Sequence, residues 1–146
     1  MPESNCKNNG HWAITLSNDV KEIPLLTAFV EEVCEFNNLD EQTSMQLNLA
    51  LEEAVVNVMS YAYPEGTKGY VDIKAESDET CMKFIITDRG TPFDPTTKEE
   101  VDTTLPIEER RIGGLGIFLV RKMMDAIEYE YKDGQNILTI RKNLGE

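Results

Sequence analysis

The sequence predicts an α+β fold, a two-layer sandwich in which a mixed sheet is covered on one face by three helices. Three observations carry that expectation. Short alternating segments come in pairs joined by turn residues, two long helical stretches lie between the first and second alternating segments, and a third helical stretch follows a long loop. The order β-α-α-β-β-(loop)-α-β-β groups strands as hairpins rather than in strict β-α-β alternation, which favours helices segregated on one face.

Residues 11–17 open the chain as a strand, with Trp12, Ile14 and Leu16 alternating against Ala13, Thr15 and Ser17. From about Pro24, Leu26, Phe29, Val30, Val33 and Cys34 recur at helical spacing, and Pro24 suits a first turn. Asn37-Asn38 breaks that helix, and Asp40 reads as the N-cap of a second one running to about Tyr61. The second helix is apolar nearly all round, through Met45, Leu47, Leu49, Leu51, Val55, Val56, Val58 and Met59, so it is expected to be mostly buried. Pro64-Glu65-Gly66 ends it. Val71, Ile73 and Ala75, the turn Ser77-Asp78-Glu79, and Met82, Phe84 and Ile86 read as a hairpin. Residues 89–112 are rich in Pro, Thr, Asp and Glu without sustained periodicity, as in a functional loop or lid. Ile117, Val120, Met124 and Ile127 predict a third helix starting on glycines. Tyr129 and Tyr131, the turn Asp133-Gly134, and Ile137 through Ile140 predict a closing hairpin.

At 146 residues the chain suits a single domain, 1–146, able to bury a core unaided. The net charge of -13, from 14 basic and 27 acidic side chains, argues against direct nucleic-acid or anionic-membrane binding. No apolar run reaches membrane-spanning length, and Met1-Pro2-Glu3-Ser4-Asn5 lacks the regions of a signal peptide. Cys6, Cys34 and Cys81 are odd in number and scattered, which suggests a reduced, cytoplasmic protein without a zinc site; Cys81 reads as a small buried hydrophobe. His11 is the only histidine and reads as a surface residue at a strand edge, which disfavours histidine-based chemistry.

Three patterns carry chemistry. Glu53 and Asn57 lie four residues apart, one above the other on a helical face, where an acidic group and an amide oxygen can share Mg²⁺ and its water shell. An exposed polar stripe is the plainer account of such a pair, but a mostly buried helix makes an unpartnered carboxylate costly. Glu52, about 100° round the helix, reads as solvated. Asp88-Arg89-Gly90 follows an apolar strand. Its carboxylate can accept a hydrogen bond from an exocyclic amino group, and Gly90 lets backbone approach a flat ring; the same composition is also common in plain turns. Thr91, Pro92, Phe93, Asp94 and Pro95 extend it with a stiff stretch able to wall a base pocket. Gly113-Gly114-Leu115-Gly116 opens a helix just after Arg110 and Arg111, a cradle for phosphate in so acidic a chain, or alternatively a flexible hinge. It matches neither G-x-x-x-x-G-K-[ST] nor G-x-G-x-x-G.

The ordered set E-x-x-x-N, D-x-G and G-G-x-G resembles the GHKL (Bergerat-fold) ATPases. Within them, Leu51-Glu52-Glu53-Ala54-Val55-Val56-Asn57 and the stretch from Arg111 to Val120 are most similar to the anti-sigma-factor serine kinases, the RsbW/SpoIIAB-like proteins of bacterial partner switching. The resemblance implies an ATP site in which Asn57 ligands Mg²⁺, Glu53 is the general base, Asp88 binds the adenine amino group and Gly90 lies beneath the ring. It further implies that Gly113, Gly114, Leu115 and Gly116 lie along the phosphates and that Arg111 reaches the terminal phosphate. Implied partners are a STAS-domain anti-anti-sigma factor as phosphoryl acceptor, a sigma factor held in the alternative complex, and a second copy in a homodimer. Two positions depart from the pattern. Asn136 stands where Thr is usual in the last nucleotide box, still able to hydrogen-bond to the base or its water, and Pro92-Phe93 stands where many relatives have another glycine. A non-catalytic ATP-binding module that captures a protein partner is the alternative function.

Overall fold

Five strands and two long helices account for most of the chain in the computed structural model, which describes residues 10–64, 66–94 and 120–144. In order these are β1 (Gly10–Ser17), α1 (Ile23–Phe36), α2 (Glu41–Tyr61), β2 (Tyr70–Ser77), β3 (Cys81–Asp88), β4 (Ala126–Lys132) and β5 (Gln135–Asn143). Residues 120–123 are helical as well, and Met124 N–H still donates to the Val120 carbonyl at 2.9 Å.

Local chemistry explains the boundaries. α1 carries Pro24 in its first turn and buries Leu26, Phe29, Val30, Val33 and Cys34. It stops where Asn37 Nδ2 donates to the Val33 carbonyl at 2.7 Å and Asn38 takes φ 56°, a left-handed conformation that asparagine tolerates. Asp40 then caps α2, its carboxylate accepting the Thr43 N–H at 2.8 Å. Between β4 and β5, Asp133 (φ 55°) and Gly134 (φ 77°) form the two-residue turn that matches the twist of paired strands. That turn sets the register Lys132↔Gln135, Tyr131↔Asn136 and Tyr129↔Leu138.

The sheet order is β1-β2-β3-β5-β4, and every pairing among the described strands is antiparallel. The α+β sandwich therefore stands, but the sheet is antiparallel rather than mixed. β3 and β4 do run in the same direction. β5 inserts between them because its tight turn folds it back inside β4, so no parallel pair forms. A second correction concerns Ile127. It lies in β4, opposite Ile140 of β5, instead of extending the third helix: its three-residue spacing from Met124 suits a helix, but its two-residue spacing from Tyr129 suits a strand.

One face of the sheet, with Leu16, Val71, Ile73, Ala75, Phe84, Ile86, Leu138 and Ile140, packs against Leu26, Val30 and Val33 of α1 and Leu47, Leu51, Val55 and Val58 of α2. The opposite face presents Thr15, Asp72 and Lys74 to solvent. α2 is less buried than its composition suggested, with Met45 59% and Leu49 51% exposed. Both lie on the stripe that continues through Glu53 and Asn57 at four-residue steps, so the helix has one face turned away from the sheet core. Cys81 is buried as expected but disulfide-bonded rather than a thiol, so the expectation of reduced cysteines does not hold there, whereas Cys34 is a buried free thiol. No helix of the described residues is long and apolar enough to cross a membrane.

Candidate functional site

α2 positions the first pair. Leu51, Ala54, Val55 and Val58 anchor it to the core, which fixes the rotation of the helix and leaves Glu53 half-buried and Asn57 1% exposed on the adjoining face. Asn57 Nδ2 donates to the Glu53 carbonyl at 2.9 Å, a back-bond along the helix that orients the amide. Its Oδ1 is buried and accepts no hydrogen bond from the described residues. A buried oxygen without a donor costs roughly 1–3 kcal/mol, so an uncompensated one asks for a partner. Burial, with the charge of Glu52 as a smaller contribution, raises the Glu53 carboxyl above its ordinary value and so favours a proton-accepting group. Glu52 is exposed, as expected.

The second cluster forms at the sheet end, where Asp88 of β3 lies directly across the ladder from Asn136 of β5. Asp88 is 2% and Asn136 4% exposed. Asp88 Oδ1 accepts from Gly90 N–H at 2.8 Å and from Asn136 Nδ2 at 2.9 Å. Burial raises the Asp88 carboxyl, and these two donors oppose the rise by favouring the ionised form. Asn136 also donates to the Thr91 carbonyl at 2.9 Å, and its Oδ1 accepts from Phe93 N–H at 3.0 Å and from the Tyr129 hydroxyl. Burial, relieved in part by a hydrogen bond from the Phe93 backbone, keeps the Tyr129 phenol above its usual value and therefore protonated as a donor.

The end of α2 joins the two clusters. Thr91 N–H donates to the Ala62 carbonyl at 2.7 Å, and a Cβ on Gly90 would fall 2.3 Å from that same oxygen, so only glycine fits the turn against the helix end. The Tyr63 hydroxyl accepts from Arg89 N–H at 3.2 Å and donates to the Tyr70 carbonyl at 2.7 Å. Phe93 leans its ring on Tyr61, with centroids 5.4 Å apart. A cleft of about 600 Å³ opens beside this end, lined by Thr15, Tyr63, Asp72 and Thr87 and reaching the cluster at Asp88, Gly90 and Thr91. Glu53 and Asn57 do not line it, so the side-chain constellation rather than this cleft locates the site.

Of the residues expected from sequence, Asp88, Gly90, Phe93 and Asn136 are thus drawn together, and Glu53 and Asn57 share one helix face. Arg111, Gly113, Gly114, Leu115 and Gly116 lie outside the described residues, as does the loop from residue 95 on. Sequence reasoning missed Tyr63, which braces the Asp88-Arg89-Gly90 turn, and Tyr129. Tyr129 was within reach: a two-residue turn at Asp133-Gly134 places it on the same sheet face as Asn136 and Leu138.

A family model for the histidine kinase-like ATPase domain matches residues 16–142, from the last residues of β1 nearly to the end of β5. The chain belongs to that family. Its relatives include the serine-protein kinase RsbW of Halalkalibacterium halodurans, 35% identical over 92 residues, which cover 60% of this chain and 56% of that protein. RsbW of Listeria monocytogenes is 31% identical over 96 residues, covering 63% of this chain and 61% of the relative. RsbW of Staphylococcus aureus (strain MSSA476) is 36% identical over 94, covering 61% and 59%. The match thus spans less than two thirds of these curated relatives. The antiparallel sheet and helical layer of the described residues are consistent with that family.

Proposed function

We propose that this chain is an ATP-dependent serine/threonine protein kinase and anti-sigma regulatory factor. In this reading it phosphorylates a small STAS-type anti-anti-sigma protein in the cytoplasm and, in the alternative complex, sequesters a sigma factor. The observation that carries it is the buried Asn57 Oδ1 without a donor, one helical turn from a Glu53 whose carboxyl is raised by burial. Names of the relatives, serine-protein kinases, support the same reading.

Asp88 would accept the adenine amino group, with Gly90 under the ring and Phe93 at its edge; Asn136 completes that end. The donor set suits Mg²⁺, which takes one or two protein oxygens and fills its shell with phosphate and water, and Asn57 is the residue that would hold it. Bound there, the ion would supply charge neutralisation for the phosphates, alongside Arg111 and the Gly113–Gly116 segment. Glu53 would accept the proton of the attacking hydroxyl as that oxygen bonds to the terminal phosphorus and the bond to the leaving ADP oxygen breaks. A placed base contributes typically ~10²–10⁴-fold. The net charge of -13 favours proteins rather than nucleic acid as partners, and a homodimer is part of the reading.

The test is incubation of the purified protein with Mg·[γ-³²P]ATP and STAS-domain proteins encoded near it. Label on a serine or threonine of one STAS protein is the expected result. Nucleotide binding without transfer to any of them would reduce the chain to a binding module.

A further inference from the structure

The amide of Asn136 has two donors and two acceptor positions, and all four are used inside the protein. Nδ2 serves Asp88 Oδ1 and the Thr91 carbonyl, while Oδ1 serves Phe93 N–H and the Tyr129 hydroxyl. A side chain so committed, and 4% exposed, has no capacity left for a ligand unless one of these bonds breaks. Asp88 is committed on one side only. Oδ1 takes Gly90 N–H and Asn136 Nδ2, which leaves Oδ2 as the oxygen with no donor from the described residues.

From this geometry we infer that Asn136, locked by Tyr129, is a positioning residue that sets purine specificity without touching the base. It turns Asp88 so that Oδ2 faces outward, and in the same motion it pins the backbone at Thr91 and Phe93 that borders the ring. The expectation that Asn136 itself bonds to the base or its water is thereby replaced. Tyr129 matters because its phenol joins Phe93 N–H at Oδ1, completing the set of bonds that holds the donor end of the amide toward Asp88. The inference rests on the nucleotide reading of this site and adds to it the origin of selectivity for an exocyclic amino group.

The experiment compares binding of Mg·ATP and of Mg·purine riboside 5′-triphosphate, which lacks the 6-amino group, to the wild-type chain, Tyr129→Phe and Asn136→Leu, by titration calorimetry. A hydrogen bond to a charged acceptor contributes about 1.5–3 kcal/mol, so the wild type should prefer ATP by roughly ten- to a hundredfold. Tyr129→Phe removes one hydroxyl from a half-buried strand residue and should fold normally, with the preference reduced at least about threefold. Asn136→Leu should bind both nucleotides with nearly equal affinity. A residue that only supported the fold would weaken both ligands alike and leave the ratio intact. An unchanged ratio in Tyr129→Phe overturns the inference, even if Asn136→Leu proves too unstable to measure. A wild-type chain that binds neither nucleotide overturns the underlying reading instead.

Discussion

At the sheet end of the candidate site, Asp88, Asn136, Tyr129, Thr91 and Phe93 bond to one another, and Asp88 Oδ2 is left without a donor among the described residues. Along α2, by contrast, Asn57 Oδ1 has no donor among the described residues and the Glu53 carboxyl is raised by burial and, less, by Glu52. The first region is finished before any ligand arrives, so its contribution is shape and selectivity at little cost of ordering. The second is left incomplete, which is where a fold stores the capacity to bind an ion and move a proton. One rigid helix joins them, since α2 carries Glu53 and Asn57 in its middle and grips the Asp88-Arg89-Gly90 turn with Ala62 and Tyr63.

The contrast can be broken most severely at Glu53. Glu53→Gln should reduce transfer to a protein hydroxyl by about 10²–10⁴-fold while ATP affinity stays near wild type; a single-turnover assay beside calorimetry reads both, and equal losses in the two would merge the regions. Next is Asn57→Leu. Replacing an amide whose Oδ1 lacks a donor among the described residues, and whose Nδ2 only back-bonds to a helix carbonyl, should leave the melting temperature of the ligand-free protein unchanged or higher, yet remove the Mg²⁺-dependent part of ATP binding. A clear drop in ligand-free stability would mean that Oδ1 is partnered in solution. Gly90→Ala probes the junction. Its methyl meets the Ala62 carbonyl, a backbone atom that cannot swing away, so a loss of about 1–3 kcal/mol in stability and weaker ATP binding are expected from thermal melts and titration.

The smallest effect is electrostatic. Glu53 works as a base only when ionised, so transfer should fall as pH drops through its raised pKa. Glu52→Gln removes the lesser of the two causes of that rise and should move the acid limb of the profile to lower pH. A limb that stays in place would leave burial as the sole cause.

How much of this was legible beforehand follows from the range of each signal. Pro24, Asp40 and Asp133-Gly134 act over a few residues, and the elements they bound are where the sequence placed them. The antiparallel sheet was not legible, because strand order depends on β5 inserting beside β3, a long-range choice that no local pattern encodes. Ile127 was misplaced because three-residue and two-residue periods overlap there. Among the candidate site residues, the shared helix face of Glu53 and Asn57 and the position of Asp88 and Gly90 at a strand end were readable from spacing. The inward commitment of Asn136 was not, since it depends on a cross-strand neighbour, a loop carbonyl and a tyrosine from three different segments. The exposure of Met45 and Leu49 likewise depends on what faces α2, which composition does not state.

Both regions meet in a single titration of ATP into the purified chain, with and without Mg²⁺. The account predicts saturable one-to-one binding that tightens at least about fivefold with the ion, as expected when a buried oxygen gains a partner worth roughly 1–3 kcal/mol. It also predicts that Asp88→Asn weakens binding in both conditions, whereas Asn57→Leu weakens it only with the ion present. Binding that ignores Mg²⁺, or that survives Asp88→Asn unchanged, would contradict the assignment of these residues to one nucleotide site.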